Sequence, residues 1–265
     1  MWKVLAAHVK QKGGTFPYPA SLPTLAERFR GLPVLRPERC MPDCKACAEV
    51  CPTAAIEVAP ALRLDLGRCL FCGACSDACP TDAVSFSREF RMATRQREHL
   101  VVSGEQQLVL AEALGEKLRR LLGRSLRLRQ VSAGGCNACE ADANALGTVV
   151  FDMSRFGIQF VASPRHADGL LVTGPVSRNM ELALRKTYEA VPAPKLVIAS
   201  GACAISGGPF VDLPQVRNGV GALLPVDLFV PGCPPHPWTL LDGLLRLLGR
   251  IRRDQPARWP MLETS

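Results

Sequence analysis

Aromatic residues are scarce in this chain: they make up 6% of 265 residues, with two tyrosines and three tryptophans. Single-stranded nucleic acids are gripped by aromatic platforms set among basic residues. The formal net charge of +8 is therefore not read as a nucleic-acid surface. No stretch approaches the roughly eighteen apolar residues of a membrane span. The opening MWKVLAAHVKQKGG has too short an apolar run for a signal-peptide core, so the chain is expected to be soluble or peripheral. A Ser-His-Asp set, a phosphate loop and a dinucleotide-binding glycine motif are all missing, which leaves no visible catalytic machinery of those classes.

What is present is ordinary globular composition, 48% hydrophobic and 21% charged, in a length that suits one large domain or two ordinary ones. Basic residues gather in KLRRLLGRSLRLR (117–129) and RLLGRIRR (246–253). Such runs are read first as solvated faces, and second as docking surfaces for anionic lipid or an acidic partner. The 12 cysteines are too dilute for a small secreted disulfide scaffold. Most stand in C-x2-C or C-x3-C pairs, the spacing of metal ligands in a reducing compartment.

Cysteine positions divide the chain. Eight lie between Cys40 and Cys79, none follows until Cys136, and the last four extend to Cys233. Residues 1–36 read as a loop-rich extension, because Pro17, Pro19, Pro23 and Pro33 break any long helix. Residues 37–104 form the first cysteine-rich domain. In 105–124, Leu108, Ala111, Leu114, Leu118 and Leu121 recur at steps of three and four, which predicts an amphipathic linker helix. From 125 to 250 short apolar runs (125–133, 157–163, 169–174, 195–200, 226–230) alternate with helical stretches (177–190, 237–250). That alternation predicts a parallel, doubly wound α/β domain, followed by a tail over 251–265. Ligands of such sheets sit beyond the carboxyl ends of the strands. Cys136, Cys139, Cys203 and Cys233 all follow predicted strands, so these four thiols are expected to converge.

The run CLFCGACSDACP (69–80) is C-x2-C-x2-C-x3-C-P, the spacing of bacterial two-cluster ferredoxins, in which the fourth cysteine serves the other cluster. The preceding run CMPDCKACAEVCP (40–52) supplies the second half with one extra residue. The expected sets are Cys40, Cys44, Cys47 and Cys79 for one [4Fe–4S] cluster, and Cys69, Cys72, Cys75 and Cys51 for another. Two other readings compete. Four thiolates also suit zinc, but Cys-Pro ends both runs in two similar halves. Cys40 to Cys47 alone is C-x3-C-x2-C, the radical S-adenosylmethionine spacing, but Cys79 is available to close the open iron. The extra residue within Met41-Pro42-Asp43 is instead expected to bulge the loop and shift that cluster's potential. A third set, GGCNACEAD (134–142), GACAISGGPF (201–210) and VPGCPPHP (230–237), carries Cys136, Cys139, Cys203 and Cys233 among glycines that admit close backbone approach. His236, in the last of these stretches, reads as a turn or interface residue.

These motifs carry a resemblance. Residues from about 125 to 250, through GGCNACEAD, RFGIQFVASPRHADGLLVTGPVSRN, GACAISGGPF and VPGCPPHP, resemble the small-subunit family shared by complex I (its 20 kDa-type subunit) and energy-converting group 4 [NiFe] hydrogenases. Residues 1 to about 105, through YPASLPTLAERFRGLP and the run from Leu66 to Glu98, resemble the two-cluster ferredoxin subunit of the same complexes. The chain reads as a fusion of the two. The resemblance implies an α+β ferredoxin domain followed by an α/β flavodoxin-like domain, and three [4Fe–4S] clusters relaying electrons.

The implied partners are a [NiFe]-hydrogenase-like large subunit, membrane ion-translocating subunits, and an upstream dehydrogenase or ferredoxin. The implied place is the cytoplasmic face of the membrane, held peripherally through those partners. The spacing Cys136-x2-Cys139 favours the formate hydrogenlyase type over complex I members, which have adjacent cysteines there. A quinone- or carrier-linked complex I relative and an iron–sulfur sensor are the other readings. Arg165 and His166 match the family segment and are expected near the third cluster, His166 either as a proton carrier or as a structural histidine at a strand entrance; with Glu140, directly after Cys139, and Asp142 they are candidates for supporting that cluster or relaying protons. Asp142 stands where relatives commonly carry Glu.

Overall fold

Residues 2–11, 14–104 and 108–251 are described by the structure, a computed structural model. The first departure from expectation comes at once: helix α1 (Trp2–Gln11) occupies the start of the loop-rich extension. Its sequence holds neither proline nor glycine, and the helix-breaking prolines begin only at Pro17. Trp2, Val4, Leu5 and Val9 of α1 lie exposed.

The cysteine-rich module is built of short pieces: β1 (Pro33–Leu35), α2 (Ala46–Glu49), β2 (Ile56–Glu57), β3 (Arg63–Asp65), α3 (Ala74–Asp77), β4 (Val84–Phe86) and β5 (Val101–Ser103). β1 pairs antiparallel with β4, and β3 pairs antiparallel with both β2 and β5. The one-turn helices α2 and α3 pack together between these sheets.

Residues 108–115 then run as an irregular strap, and helix begins only at α4 (Glu116–Leu122). This corrects the linker helix expected over 105–124, whose residues 105–107 lie outside the described residues. The apolar spacing is real but an extended strap uses it. Ala111 and Leu114 donate their N–H groups to the carbonyls of Ala93 and Leu247, so tertiary partners replace the helical ladder, and Gly115 separates strap from helix. The delayed start also rotates α4. Leu122 is buried at 4% exposure, while Leu121, expected on the packed stripe, is 57% exposed.

The second module is a parallel sheet of β6 (Leu126–Ser132), β7 (Ile158–Phe160), β8 (Gly169–Thr173), β9 (Leu196–Ser200) and β10 (Leu228–Val230) in the order β7-β6-β8-β9-β10. Its helices are α5 (Ala138–Ala145), α6 (Arg178–Ala190), α7 (Ala202–Ser206) and α8 (Pro237–Leu247). β8, β9 and β10 are buried at every residue, as strands covered on both faces must be. Alternate side chains enter two cores. Leu171, Ile198 and Leu228 pack with the leucines of α8. Leu170, Val197 and Phe229 pack with Leu184 of α6, Ile205 of α7, and Leu64 and Leu100 of the cysteine-rich module. One core thus spans both modules. Each buried leucine contributes roughly 1.5–3 kcal/mol, against about 0.3–0.5 kcal/mol for an exposed pair such as Glu116 with Arg120.

The modules are also stitched by polar contacts. Thr94 pairs antiparallel with Phe229 and covers the edge of β10. Ser206 donates to the Gly67 carbonyl at 2.9 Å, and within the first module Arg97 grips Asp65 with both terminal nitrogens, beside Gly67.

Candidate functional site

All twelve cysteines are free thiols. In the first module, each Cys-Pro-Thr is followed by a left-handed residue, Ala54 or Asp82. That turn aims the next amide back at the sulfur: Ala55 and Ala83 donate to Cys51 and Cys79 at 3.2 Å each. Phe71 N–H reaches the Cys69 sulfur at 3.3 Å. Backbone N–H groups aimed at sulfur favour the thiolate that metals require.

The thiols perturb one another in sets. Burial, then Cys44 and Cys79, push the Cys40 thiol up; burial, then Cys79 and Cys40, do the same to Cys47. Burial and the neighbouring Cys75, Cys51 and Cys72 drive Cys69 to about 12, despite the Phe71 amide. Cys75 rises to about 11 through burial, Cys51 and Cys72. Cys79 is the exception. Burial pushes it up, yet the N–H groups of Thr81, Val84 and Ala83 outweigh that and hold it below the ordinary thiol value. Cys51, Cys69, Cys72 and Cys75 line one cavity, walled by Ile56, Leu64 and Phe86.

The third set lies beyond the carboxyl ends of β6, β9 and β10, where the alternation placed it. Cys139 is driven to about 12 by burial, Cys203, Glu140, Cys233 and Cys136, and Cys203 to about 11 by burial, Cys233 and Cys136. Glycine makes the room. At Gly201 a Cβ would stand 2.6 Å from the Cys139 sulfur, and at Gly208 one would stand 2.9 Å from that of Cys203. The three sets adjoin in order: Cys47 of the first acts on Cys75 of the second, and Cys72 of the second acts on Cys233 of the third.

Sulfur-only donors, amides on the sulfurs and glycine at the closest approaches fit iron–sulfur clusters. Among the described residues, no three or more His, Cys, Asp or Glu side chains close on a point that would hold a single metal ion. Cys51, Cys69, Cys72 and Cys75 border a cavity instead.

The four supporting residues separate. Glu140 is buried beside Cys139 and accepts a 2.6 Å bond from Thr173 Oγ1. Burial pushes its carboxyl up, but the hydroxyls of Ser132 and Thr173 win and hold it low, which leaves a fixed negative charge at the third set. Asp142 is pushed up by burial and faces a cavity with Arg28, Arg30, Phe71, Cys233 and His236. Arg165 and His166 are exposed in the turn Pro164–His166 that leads into β8. They stand at the start of that strand, whereas the thiols follow strand ends.

His236 does more than fill a turn. Its Nδ1 accepts the Trp238 amide as the cap of α8, Phe29 meets its ring edge-on, and burial lowers its pKa. A buried polar network was missed entirely by sequence reasoning. Tyr18 donates to one Asp242 oxygen at 2.5 Å and Arg246 to the other at 2.7 Å, with Arg91, paired to Glu89, close by. Its signal was one Asp inside the apolar helix PWTLLDGLLRLLGR, four residues before an Arg. Arg246 therefore leaves the solvated basic run assigned to it; Arg252 and Arg253 of that run lie outside the described residues.

Comparison with known proteins gives two family matches. Residues 136–247 match the model described as NADH ubiquinone oxidoreductase, 20 Kd subunit, and residues 39–83 match a 4Fe-4S dicluster domain. The chain is 43% identical to formate hydrogenlyase subunit 7 of Escherichia coli K12, over 54% of this chain and 56% of that protein. It is 42% identical to a probable membrane-bound hydrogenase subunit, mbhJ, of Pyrococcus furiosus, over 52% of this chain and 82% of that protein. It is 45% identical to an NADH-quinone oxidoreductase subunit of Heliobacterium modesticaldum, over 45% of this chain and 69% of that protein. The alignment thus spans little more than half of the formate hydrogenlyase subunit.

Proposed function

Because the chain belongs to the NADH ubiquinone oxidoreductase 20 kDa subunit family and carries a 4Fe-4S dicluster domain ahead of that region, we propose that it relays electrons to or from a catalytic large subunit. The observation that carries this reading is the unbroken succession of three thiol sets, joined at Cys47 with Cys75 and at Cys72 with Cys233. Cys40, Cys44, Cys47 and Cys79 hold the first [4Fe–4S] cluster; Cys51, Cys69, Cys72 and Cys75 hold the second; Cys136, Cys139, Cys203 and Cys233 hold the third. When bound, each supplies a one-electron carrier whose potential its surroundings set. The chain's own residues keep the thiolates in place, aim amides at their sulfurs and exclude water with Ile56, Leu64 and Phe86. Glu140 holds negative charge against the third site, which disfavours an added electron there.

The large subunit is proposed to be [NiFe]-hydrogenase-like, with the complex seated on ion-translocating membrane subunits at the cytoplasmic face. No described helix is long and apolar enough to cross a membrane, in keeping with a peripheral seat held by those partners. A strand order in which the second strand flanks the first and the others follow on its far side supports a flavodoxin-like class for the second module. The identity to a quinone oxidoreductase subunit keeps a second reading, a quinone- or carrier-linked relative. Nickel in the co-purified large subunit decides between the two.

Anaerobically purified protein is expected to hold about twelve irons, four in each of three sites. Cys203→Ser is expected to lower this to about eight while the electron paramagnetic resonance (EPR) signals of the first two sites persist. About eight irons in the unaltered protein, with zinc, would sink the third site.

A further inference from the structure

The two cysteine runs are near copies in space as well as in sequence. Residues 44–55, CKACAEVCPTAA, and 72–83, CGACSDACPTDA, each give a one-turn helix and a Cys-Pro-Thr turn with the same amide on the same sulfur. Left-handed backbone recurs just before each copy as well, at Asp43 (φ 58°) and Phe71 (φ 53°).

Upstream the copies part. The left-handed Phe71 lies two residues after Cys69, and its N–H lands on that sulfur. In the first run, the residue two after Cys40 is Pro42, which has no N–H to give. Asp43, in the conformation of Phe71, is displaced one position further from Cys40. Among the described residues the Cys40 sulfur finds no such donor; what surrounds it is the Cys44 and Cys79 thiols.

We propose that Pro42 withholds an N–H···S hydrogen bond from Cys40 and thereby holds the cluster of Cys40, Cys44, Cys47 and Cys79 at a lower reduction potential than a C-x2-C loop would give it. The inference rests on the iron–sulfur reading above and adds the sign. Reduction adds one negative charge that spreads onto the thiolate sulfurs. An N–H dipole aimed at sulfur stabilises the reduced form more than the oxidised form. Its loss makes the site harder to reduce.

The test is an EPR-monitored redox titration of the complete chain lacking Pro42, which moves Asp43 into the place Phe71 holds. The first site's midpoint is expected to move positive while the others stay. Pulsed EPR in H2O against D2O is expected to show a new exchangeable proton coupled to the reduced cluster. An unchanged or more negative midpoint overturns the proposal. If the deletion costs the cluster, Pro42→Ala decides: it keeps the loop length and restores an N–H, so a positive shift with the new proton coupling supports the proposal and no shift overturns it. Absence of any cluster at Cys40 in the unaltered protein, read from its iron content, is a separate result that defeats the iron–sulfur reading itself.

Discussion

Asp242→Ala is expected to cost about 3–5 kcal/mol, the range for breaking a buried ion pair by removing one partner. Asp242 is 0% exposed, and Arg246 and Arg91 are 5% and 6% exposed. Without the carboxylate, Arg246 loses its 2.7 Å acceptor and Tyr18 loses its 2.5 Å acceptor, which leaves a buried guanidinium without its counter-charge. The damage falls on the joint between modules, because Tyr18 comes from the N-terminal segment, Arg91 from the tail of the cysteine-rich module, and Asp242 from α8. Gly243, the next residue, packs so closely on Ala93 that a Cβ there would stand 2.6 Å away. In a domain of this size the loss corresponds to a fall of order 10 °C in the melting midpoint, measured anaerobically with clusters in place. Tyr18→Phe removes a single hydrogen bond to a charged group and is expected to cost about 1.5–3 kcal/mol. The double change Asp242→Leu with Arg246→Leu is expected to recover part of the loss, since replacing both members of a buried pair by apolar residues is often nearly neutral. A drop in Asp242→Ala no larger than that of Tyr18→Phe would show that the pair does not hold the joint.

That network marks the limit of what the sequence disclosed. The parallel sheet was legible because strands covered on both faces become unbroken apolar runs such as GLLVTG and KLVIAS. The third thiol set was legible because cysteines following strands must gather at one edge. Asp242 was hidden because its partners Tyr18 and Arg91 are far away in the chain, and no local pattern joins them. The strap over 108–115 was misread because apolar steps of three and four suit a helix but do not report that Ala93 and Leu247 supply carbonyls for its amides. Arg165 and His166 matched a family segment, yet their place just ahead of the run 169–174 already set them at the entrance of β8, away from the carboxyl ends where the thiols gather. Pro42 was visible only as an extra residue. Its meaning came from laying the first run over the second and finding the amide that Phe71 supplies.

Gly201→Ala is expected to empty the third site, lowering iron from about twelve to about eight per chain. Gly201 lies between β9 and α7 with φ 93° and ψ 156°, a region almost confined to glycine that costs other residues about 1–3 kcal/mol. Its amide donates to the Val230 carbonyl at 2.9 Å, which ties the backbone to β10 and limits any rotation that would relieve the strain. The added methyl would stand 2.6 Å from the Cys139 sulfur and 3.5 Å from both the Gly232 carbonyl and the Pro235 ring. The sulfur is the atom with room to move, and it is the atom that must hold iron. A metal–sulfur bond of about 2.3 Å does not survive a displacement approaching 1 Å. The first two sites use no residue of this loop, so their EPR signals are expected to remain while electron exchange with the proposed large subunit stops. Gly221→Ala is the control, because a Cβ there meets nothing within 4 Å; it is expected to keep full iron and full electron delivery. Full iron and an unchanged third EPR signal in Gly201→Ala would mean that Cys139 is not a ligand at this site.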